Sequence, residues 1–240
     1  MNPTEDWKIE VRPFAKLGGF RNDWLNARHH FSFGHYHDPA RMGLGRLRVW
    51  NDDEIAPGTG FDLHPHRDME IVTYVREGAI AHRDNLGNEG RTEAGDVQVM
   101  HAGTGIVHGE YNRETVPTRI LQIWILPDEH GVAPGWGTRQ FPRSGAGLQV
   151  LASGRRQDAD AGGLPLHADA AVLAGTLPAG RTARFPLAPG RGAYLVPATG
   201  AMTVNGVALG TRDGGVVIGE QELAITATEA AEIVLVDVAL

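Results

Sequence analysis

Two short segments carry residues whose types and spacing suit metal chemistry. One is Leu-His-Pro-His, with His64 and His66, and the other is Val-His-Gly-Glu, with His108 and Glu110. Alternate residues of a β-strand point to the same side, about 7 Å apart, so each pair can direct both side chains toward one ion. Three imidazoles and a carboxylate suit iron, and also manganese, nickel, copper or zinc. We therefore predict one divalent metal site, most simply Fe(II), at these four residues.

The composition restricts the other ways in which this chain could bind a metal or a partner. It has no cysteine and eleven histidines among 240 residues, which excludes disulfides and thiolate zinc sites. A net charge of −7 without basic runs argues against nucleic-acid binding. The first residues do not resemble a leader peptide, and no run of about 18 apolar residues predicts a membrane span. We expect a cytoplasmic protein.

Several other polar residues compete for a role at the site. Glu70 lies four residues beyond His66 and shares its strand face, so it is the rival for the fourth ligand position. His101 is expected to have a surface or hydrogen-bonding role, with an extra ligand or a proton carrier as the alternative. His82, which lies beside a predicted hairpin, is expected to be a cross-strand polar residue.

Two further histidine groups and a set of large apolar residues have structural interpretations. His29-His30 and His35-x-His37 are expected to be structural or surface-polar, and their functional alternative is the rim of a pocket. The large apolar residues are expected in the core or the pocket wall, with substrate stacking as the alternative: Trp50, Trp124, Trp136, Phe61 and Met69. The Gly-Thr-Gly at 103–105 is expected to serve turns and close packing, not phosphate binding.

The elements that must position these side chains are predicted to be short β-strands. Stretches such as LRVWNDD, MEIVTYVREG and RILQIWILPDE alternate with Gly, Asn and Asp turns, and 32 glycines favour many turns. Ala79–His82 and Val204-Asn205-Gly206-Val207 predict hairpins. A junction is expected within 131–163, interrupted by a strand near Gln149. No long amphipathic helix is evident, so we predict an all-β sandwich or barrel.

The pattern of the first half returns more weakly in the second, where His167 is the one remaining histidine. This indicates two related barrels. We predict a metal-binding N-terminal barrel over 1–138 and a degenerate C-terminal barrel without metal ligands over 139–240.

Two longer motifs resemble the signatures of the cupin superfamily. They are Gly60-x3-His64-x-His66-x3-Glu70-x7-Gly78 and Gly95-x5-His101-Ala-Gly103-x4-His108-x3-Asn112. The variants FDLHPHRDMEIVTYVREG and HAGTGIVHGEYN resemble the pirin family in particular. That resemblance implies a bicupin fold and the ligand set His64, His66, His108 and Glu110. The imidazole at 101 departs from the small hydroxyl residue that is usual there.

The resemblance also implies an activity. Some pirins cleave flavonols such as quercetin with molecular oxygen, opening the heterocycle and releasing carbon monoxide. Glu110 would then be catalytic, accepting the proton of the flavonol 3-hydroxyl. The alternative is a non-enzymatic, redox-responsive metalloprotein that binds a regulatory protein partner. A metal-dependent isomerase is a third possibility, and it would turn over without oxygen.

Overall fold

A computed structural model describes residues 8–141, 147–219 and 222–240. Within these ranges the regular secondary structure consists of β-strands and three single-turn 3-10 helices, Phe14–Lys16, Pro39–Arg41 and Arg156–Asp158. No helix in the described ranges has the length and apolar character needed to cross a membrane. The predicted all-β fold class is confirmed.

The first half contains two sheets that form a barrel. Its strands are β2 (Gly18–Arg21), β3 (Leu25–His29), β4 (Leu47–Ile55), β5 (Gly60–His66), β6 (Glu70–Glu77), β7 (Ala79–Asp84), β8 (Glu89–Glu93), β9 (Val97–His101), β10 (Ile106–Tyr111), β11 (Thr118–Ile125) and β12 (Gly135–Arg139). One sheet has the order β12-β9-β6-β11-β4-β3-β2, and the other has the order β5-β10-β7-β8. The predicted hairpin at Ala79 is the β7–β8 pair.

The second half repeats this arrangement. Its strands are β13 (Gln149–Ser153), β14 (Leu164–Pro165), β15 (Ala170–Leu177), β16 (Thr182–Pro186), β17 (Arg191–Thr199), β18 (Met202–Val204), β19 (Val207–Leu209), β20 (Gly214–Ile218), β21 (Glu222–Ala227) and β22 (Ala231–Ala239), and β1 (Lys8–Arg12) joins them. The sheet orders are β1-β20-β17-β22-β15-β13-β14 and β16-β21-β18-β19. Two related barrels are therefore confirmed.

The link between the barrels contains the predicted strand β13, whereas its segment 142–146 lies outside the described residues. Strand β1 pairs with β20, so the start of the described chain lies in the second barrel's sheet. The division at 138/139 stays a prediction. The second predicted hairpin is the β18–β19 pair, and its turn residues Asn205 and Gly206 have φ values of 46° and 83°. Positive φ at both central residues is the conformation that Asn-Gly favours.

The apolar core lies in three places, and its distribution explains which barrel can hold a site. Phe31, Trp50 and Tyr194 belong to a cluster that joins the large sheets of the two halves. The second barrel is filled by a continuous apolar cluster that includes Leu195, Ile225 and their buried neighbours. The first barrel contains only two smaller apolar clusters, which leaves its interior open to polar side chains.

A buried ion network also connects the two halves. Asp52, with a side chain that is 1% exposed, accepts hydrogen bonds from Arg76 Nη1 at 2.8 Å and Arg212 Nε at 2.6 Å. Arg76 Nη2 donates to the carbonyl of Ala198 at 3.1 Å. The carboxylate thus ties a strand of the first barrel to residues of the second, behind the sheet that faces the site.

Candidate metal centre

Strands β5 and β10 place the four predicted ligands in one region of the first barrel. They pair antiparallel, with His108 opposite His64 and Ile106 opposite His66, and the register shifts between His108 and Glu110. Strand β5 is an edge strand, which allows Pro65 between the two histidines. A Cβ at Gly60 would lie 2.1 Å from the carbonyl oxygen of Glu110, so glycine permits the close approach of the strands.

The three imidazoles form one compact group. One nitrogen of each of His64, His66 and His108 lies within 4.8 Å of the others. Nδ1 of His64 donates to the carbonyl of Asp62 at 2.7 Å, which leaves its Nε2 with a free lone pair. Nε2 of His108 is buried and has no hydrogen-bond partner among the described residues. A buried ring nitrogen without a partner is costly, and a metal ion would satisfy it. The residues present therefore fit a metal.

The electrostatics of the group also suit a metal. Burial, with the nearby His64, lowers the pKa of His66 to about 4. Burial, followed by the neighbouring imidazoles, lowers the pKa of His108 to about 2. Both rings are therefore neutral at pH 7, and neutral imidazole is the form that binds metals.

Glu110 lies on β10, the strand of His108, but its carboxylate is not among the ligand atoms that lie within 4.8 Å of one another. Its buried carboxylate accepts hydrogen bonds from Gln98 Nε2 at 2.5 Å and Gln122 Nε2 at 2.9 Å, with Thr73 Oγ1 at 3.4 Å. Burial raises the pKa of Glu110 to about 7, although these three donors oppose the rise. Its role as a ligand and as a proton acceptor stays a prediction.

The two glutamines are site residues that the sequence analysis missed. Gln98 Oε1 accepts from Thr92 Oγ1 at 3.1 Å, and Gln122 Oε1 accepts from Trp124 Nε1 at 3.1 Å. Because each amide oxygen already has a donor, each amide nitrogen is directed at Glu110. A lone glutamine within an apolar strand, as in VQVMH and RILQIWI, was the one available signal.

Glu70, the rival ligand, does not share the strand face of His66 as expected, because β5 ends at His66 and Glu70 begins β6 in the other sheet. Its Oε2 accepts from Nδ1 of His101 at 2.6 Å and from the backbone N–H of His167 at 3.0 Å. The rings of His101 and His167 are 4.8 Å apart. His101 thus has the hydrogen-bonding role expected of it, in a cluster that joins the two halves.

The aromatic residues divide between the site and the core. Trp124 lies 5.0 Å from the ring of His66, and Phe61 lies 6.4 Å from the ring of His64. Trp136 stacks on His82 at 4.7 Å. Met69 packs against a small apolar cluster beside the site, whereas Trp50 lies in the core between the halves.

A cavity of about 120 Å³ lies beside Gln122 and Phe61. His29 and His35 are among its lining residues, which fits the alternative of a pocket rim for two of the four early histidines. His30 instead contacts the hydroxyl of Tyr194 at 2.7 Å in the core, and His37 is exposed.

Asp53 also lines the cavity beside Gln122 and Phe61. Its carboxyl is buried, and Oδ1 has no hydrogen-bond partner in the described part of the chain. Burial, followed by the charges of Asp52 and Glu110, raises its pKa well above the usual value. A protonated carboxyl can both donate and accept a hydrogen bond, so the cavity has one polar group ready for a ligand.

Comparisons with known proteins agree with this architecture. Residues 10–125 match the Pirin family model, and residues 150–238 match the model of a quercetinase C-terminal cupin domain. A pirin-like protein of Caulobacter vibrioides is 59% identical over 234 residues, which cover 96% of this chain and all of the relative. The quercetin 2,3-dioxygenase of Escherichia coli is 40% identical over 230 residues, covering 95% of this chain and 98% of the relative.

A solved structure with a bound metal is also similar. The bacterial pirin YhhW of Escherichia coli in complex with nickel(II) superposes with a TM-score of 0.91 at 38% identity, and the match covers 97% of this chain and 99% of that one. By sequence, by both domain models and by fold, this chain belongs to the pirin family.

Proposed function

We propose that this protein is a metal-dependent dioxygenase that opens the heterocycle of flavonols such as quercetin with O2 and releases carbon monoxide. The observation that carries the proposal is the group of three imidazoles with nitrogens within 4.8 Å of one another. Nε2 of His108 is buried without a hydrogen-bond partner in the part of the chain that the structure describes, and the buried carboxylate of Glu110 lies two residues further along the same strand. The relative that is named quercetin 2,3-dioxygenase supports the reaction class and the aromatic substrate.

His64, His66 and His108 would hold the metal, with Glu110 as the fourth ligand. The ion would supply Lewis acidity and electron transfer to O2. We propose Fe(II) as the resident ion. Nickel is a second candidate, because the similar structure of the Escherichia coli pirin contains it.

Glu110 would act as the proton acceptor for the flavonol 3-hydroxyl. Gln98 and Gln122 donate to its two oxygens and so hold the carboxylate in one orientation within the barrel. Oriented donors that need no reorganisation during reaction are the main way in which a protein lowers an electrostatic barrier. The glutamines are therefore positioning residues in this proposal.

The cavity lined by Gln122 and Phe61 would receive one hydroxylated ring of the substrate. Phe33 and Phe61 offer apolar contact, and Asn51 and Asp53 offer hydrogen bonds. A cavity of about 150 Å³ holds benzene in another protein, so about 120 Å³ suits one ring and not a whole flavonol. The remainder of the substrate would extend toward the exposed His35.

The test is turnover of quercetin by protein loaded with Fe(II) or Ni²⁺, followed as loss of the flavonol absorbance band. We expect loss in air that requires metal, with carbon monoxide in the headspace and no loss under argon. Loss under argon would indicate an isomerase or another oxygen-independent reaction. No loss from protein shown to contain metal would reject the dioxygenase and favour the partner-binding metalloprotein.

A further inference from the structure

The imidazole of His108 also contacts His82, a histidine outside the group of three. Nδ1 of His82 lies 3.4 Å from Nδ1 of His108, a long hydrogen bond. On the far edge of the His82 ring, Nε2 lies 3.0 Å from Oδ2 of Asp84. The side chains of His82 and Asp84 are both 0% exposed. Asp84, His82 and His108 thus form a buried chain that ends at Nε2 of His108, which has no hydrogen-bond partner within residues 8–141, 147–219 and 222–240.

The positions of the protons along this chain follow from its acceptor end. The ionised carboxylate of Asp84 can only accept, so Nε2 of His82 carries a proton. In the neutral ring Nδ1 of His82 is then an acceptor, and Nδ1–H of His108 must donate to it. This leaves the lone pair of His108 on Nε2, the buried nitrogen for which the described residues offer no hydrogen-bond partner. The opposite tautomer would place a proton on Nε2 and block it as a ligand.

Packing holds His82 in the orientation that this chain requires. The ring of Trp136 stacks on it with an interplanar angle of 9°. Gly90 lies opposite His82 in the β7–β8 pair, and a Cβ there would lie 2.2 Å from the Trp136 ring. Glycine at 90 therefore leaves room for the indole that covers His82.

Asp84 is fixed just as firmly. Its Oδ1 accepts the backbone N–H groups of Leu86 at 2.9 Å and Asn88 at 3.0 Å, and the Asn88 side-chain amide donates to Oδ2 at 2.8 Å. The hairpin turn that follows β7 thus determines which oxygen faces His82.

We propose that Asp84 and His82 are positioning residues that fix the tautomer of His108 and present its Nε2 to the metal. The inference rests on the proposed metal site and adds two residues to it. His64 has the simpler form of the same device, because its Nδ1 donates to the carbonyl of Asp62. Partners of this kind, behind a metal-binding histidine, typically change metal affinity by about 10- to 100-fold when they are replaced.

Asp84→Asn is the most direct test. The amide oxygen keeps the two backbone N–H groups at the Oδ1 position, because those donors are fixed whereas the Asn88 amide can rotate to accept, so the NH2 group faces Asn88 and His82. His82 must then accept at Nε2, carry its proton on Nδ1 and donate to His108, which reverses the tautomer of His108. We expect long-range 1H–15N spectra of the metal-free protein to show His108 as Nδ1–H in the native chain and as Nε2–H in the variant. We expect Ni²⁺ affinity, from chelator competition, to fall about 10- to 100-fold.

Two substitutions of His82 separate positioning from packing. His82→Gln offers one acceptor and one donor and should retain most of the affinity, whereas His82→Leu should lose it as Asp84→Asn does. Tyr194→Phe is the matched control, because it removes the partner of the buried His30 in the core and should leave Ni²⁺ affinity unchanged.

The proposal is overturned if metal-free native protein shows His108 as the Nε2–H tautomer, or if Asp84→Asn binds Ni²⁺ as tightly as the native chain. It is also overturned if His82→Gln and His82→Leu lose affinity equally. None of these results would bear on flavonol turnover by the native protein. Conversely, a native protein that binds Ni²⁺ but leaves quercetin intact would reject the proposed function and not this inference.

Discussion

Replacing Glu110 with glutamine should stabilise the metal-free protein at alkaline pH, although it removes a predicted ligand. The carboxyl is buried, and its pKa is raised from 4.5 to about 7. A carboxyl whose pKa is higher in the folded state destabilises the fold once it ionises. The loss begins as pH rises above 4.5 and is complete above about 7. One pKa unit corresponds to about 1.4 kcal/mol, so the loss amounts to roughly 3 kcal/mol.

Below pH 5 the two proteins should differ little. Protonated Glu110 and glutamine each place one donor against the amide groups of Gln98 and Gln122, which already donate to this position. Either arrangement leaves one mismatched pair, at a cost of about 1–3 kcal/mol that is common to both proteins. The difference between them should therefore appear only as pH rises.

The assay is urea unfolding of metal-free native protein and Glu110→Gln at pH 5 and pH 8. The other titrating groups are shared, so the change in the difference between the two free energies of unfolding reports Glu110 together with the effect of its charge on Asp53. We expect the variant to gain up to roughly 3 kcal/mol relative to the native chain between the two pH values. Saturating Ni²⁺ should reverse the order, because it stabilises the native chain more. A difference that is independent of pH would refute the reasoning about the buried carboxylate.

Three further predictions follow from other parts of the structure. Asp52→Ala leaves Arg76 buried without its partner and should lower the free energy of unfolding by about 3–5 kcal/mol in urea, whereas an unchanged midpoint would contradict the buried network. Asp53→Leu removes the Asp53 carboxyl from the cavity lining and should raise the KM for quercetin about tenfold with metal content unchanged. The KM of Asp53→Asn should stay near the native value. Gly60→Ala forces β5 away from the Glu110 carbonyl and should reduce the bound metal measured per chain, whereas full occupancy would show that the strands can adjust.

The closeness of His64 and His66 could be predicted because strand alternation is a local rule. Residues i and i+2 of a strand lie on the same face in any fold. The prediction that His64 and His66 lie together therefore required only that they belong to one strand, β5. The meeting of β5 with β10 was suggested by the repeated i, i+2 spacing. The actual register, with His108 opposite His64, needed the structure.

The surroundings of the ligands could not be predicted, because they depend on pairings across distant strands. Gln98 and Gln122 reach Glu110 from β9 and β11 of the opposite sheet. His82 was expected to be only a cross-strand polar residue, yet it lies opposite Glu110 in the β7–β10 pair and its ring contacts that of His108. Glu70 was expected on the strand face of His66, but it begins the next strand, β6, and contacts His101 and the second barrel. Residue type and spacing give no information about such long-range neighbours.

The most direct test of the proposed metal site is anomalous diffraction at the metal absorption edge from crystals of the metal-loaded protein. We expect one peak at about 2.0–2.2 Å from a nitrogen of each of His64, His66 and His108 and from a carboxylate oxygen of Glu110. A peak beside Glu70 and His101, or no peak in protein that contains metal by elemental analysis, would contradict it.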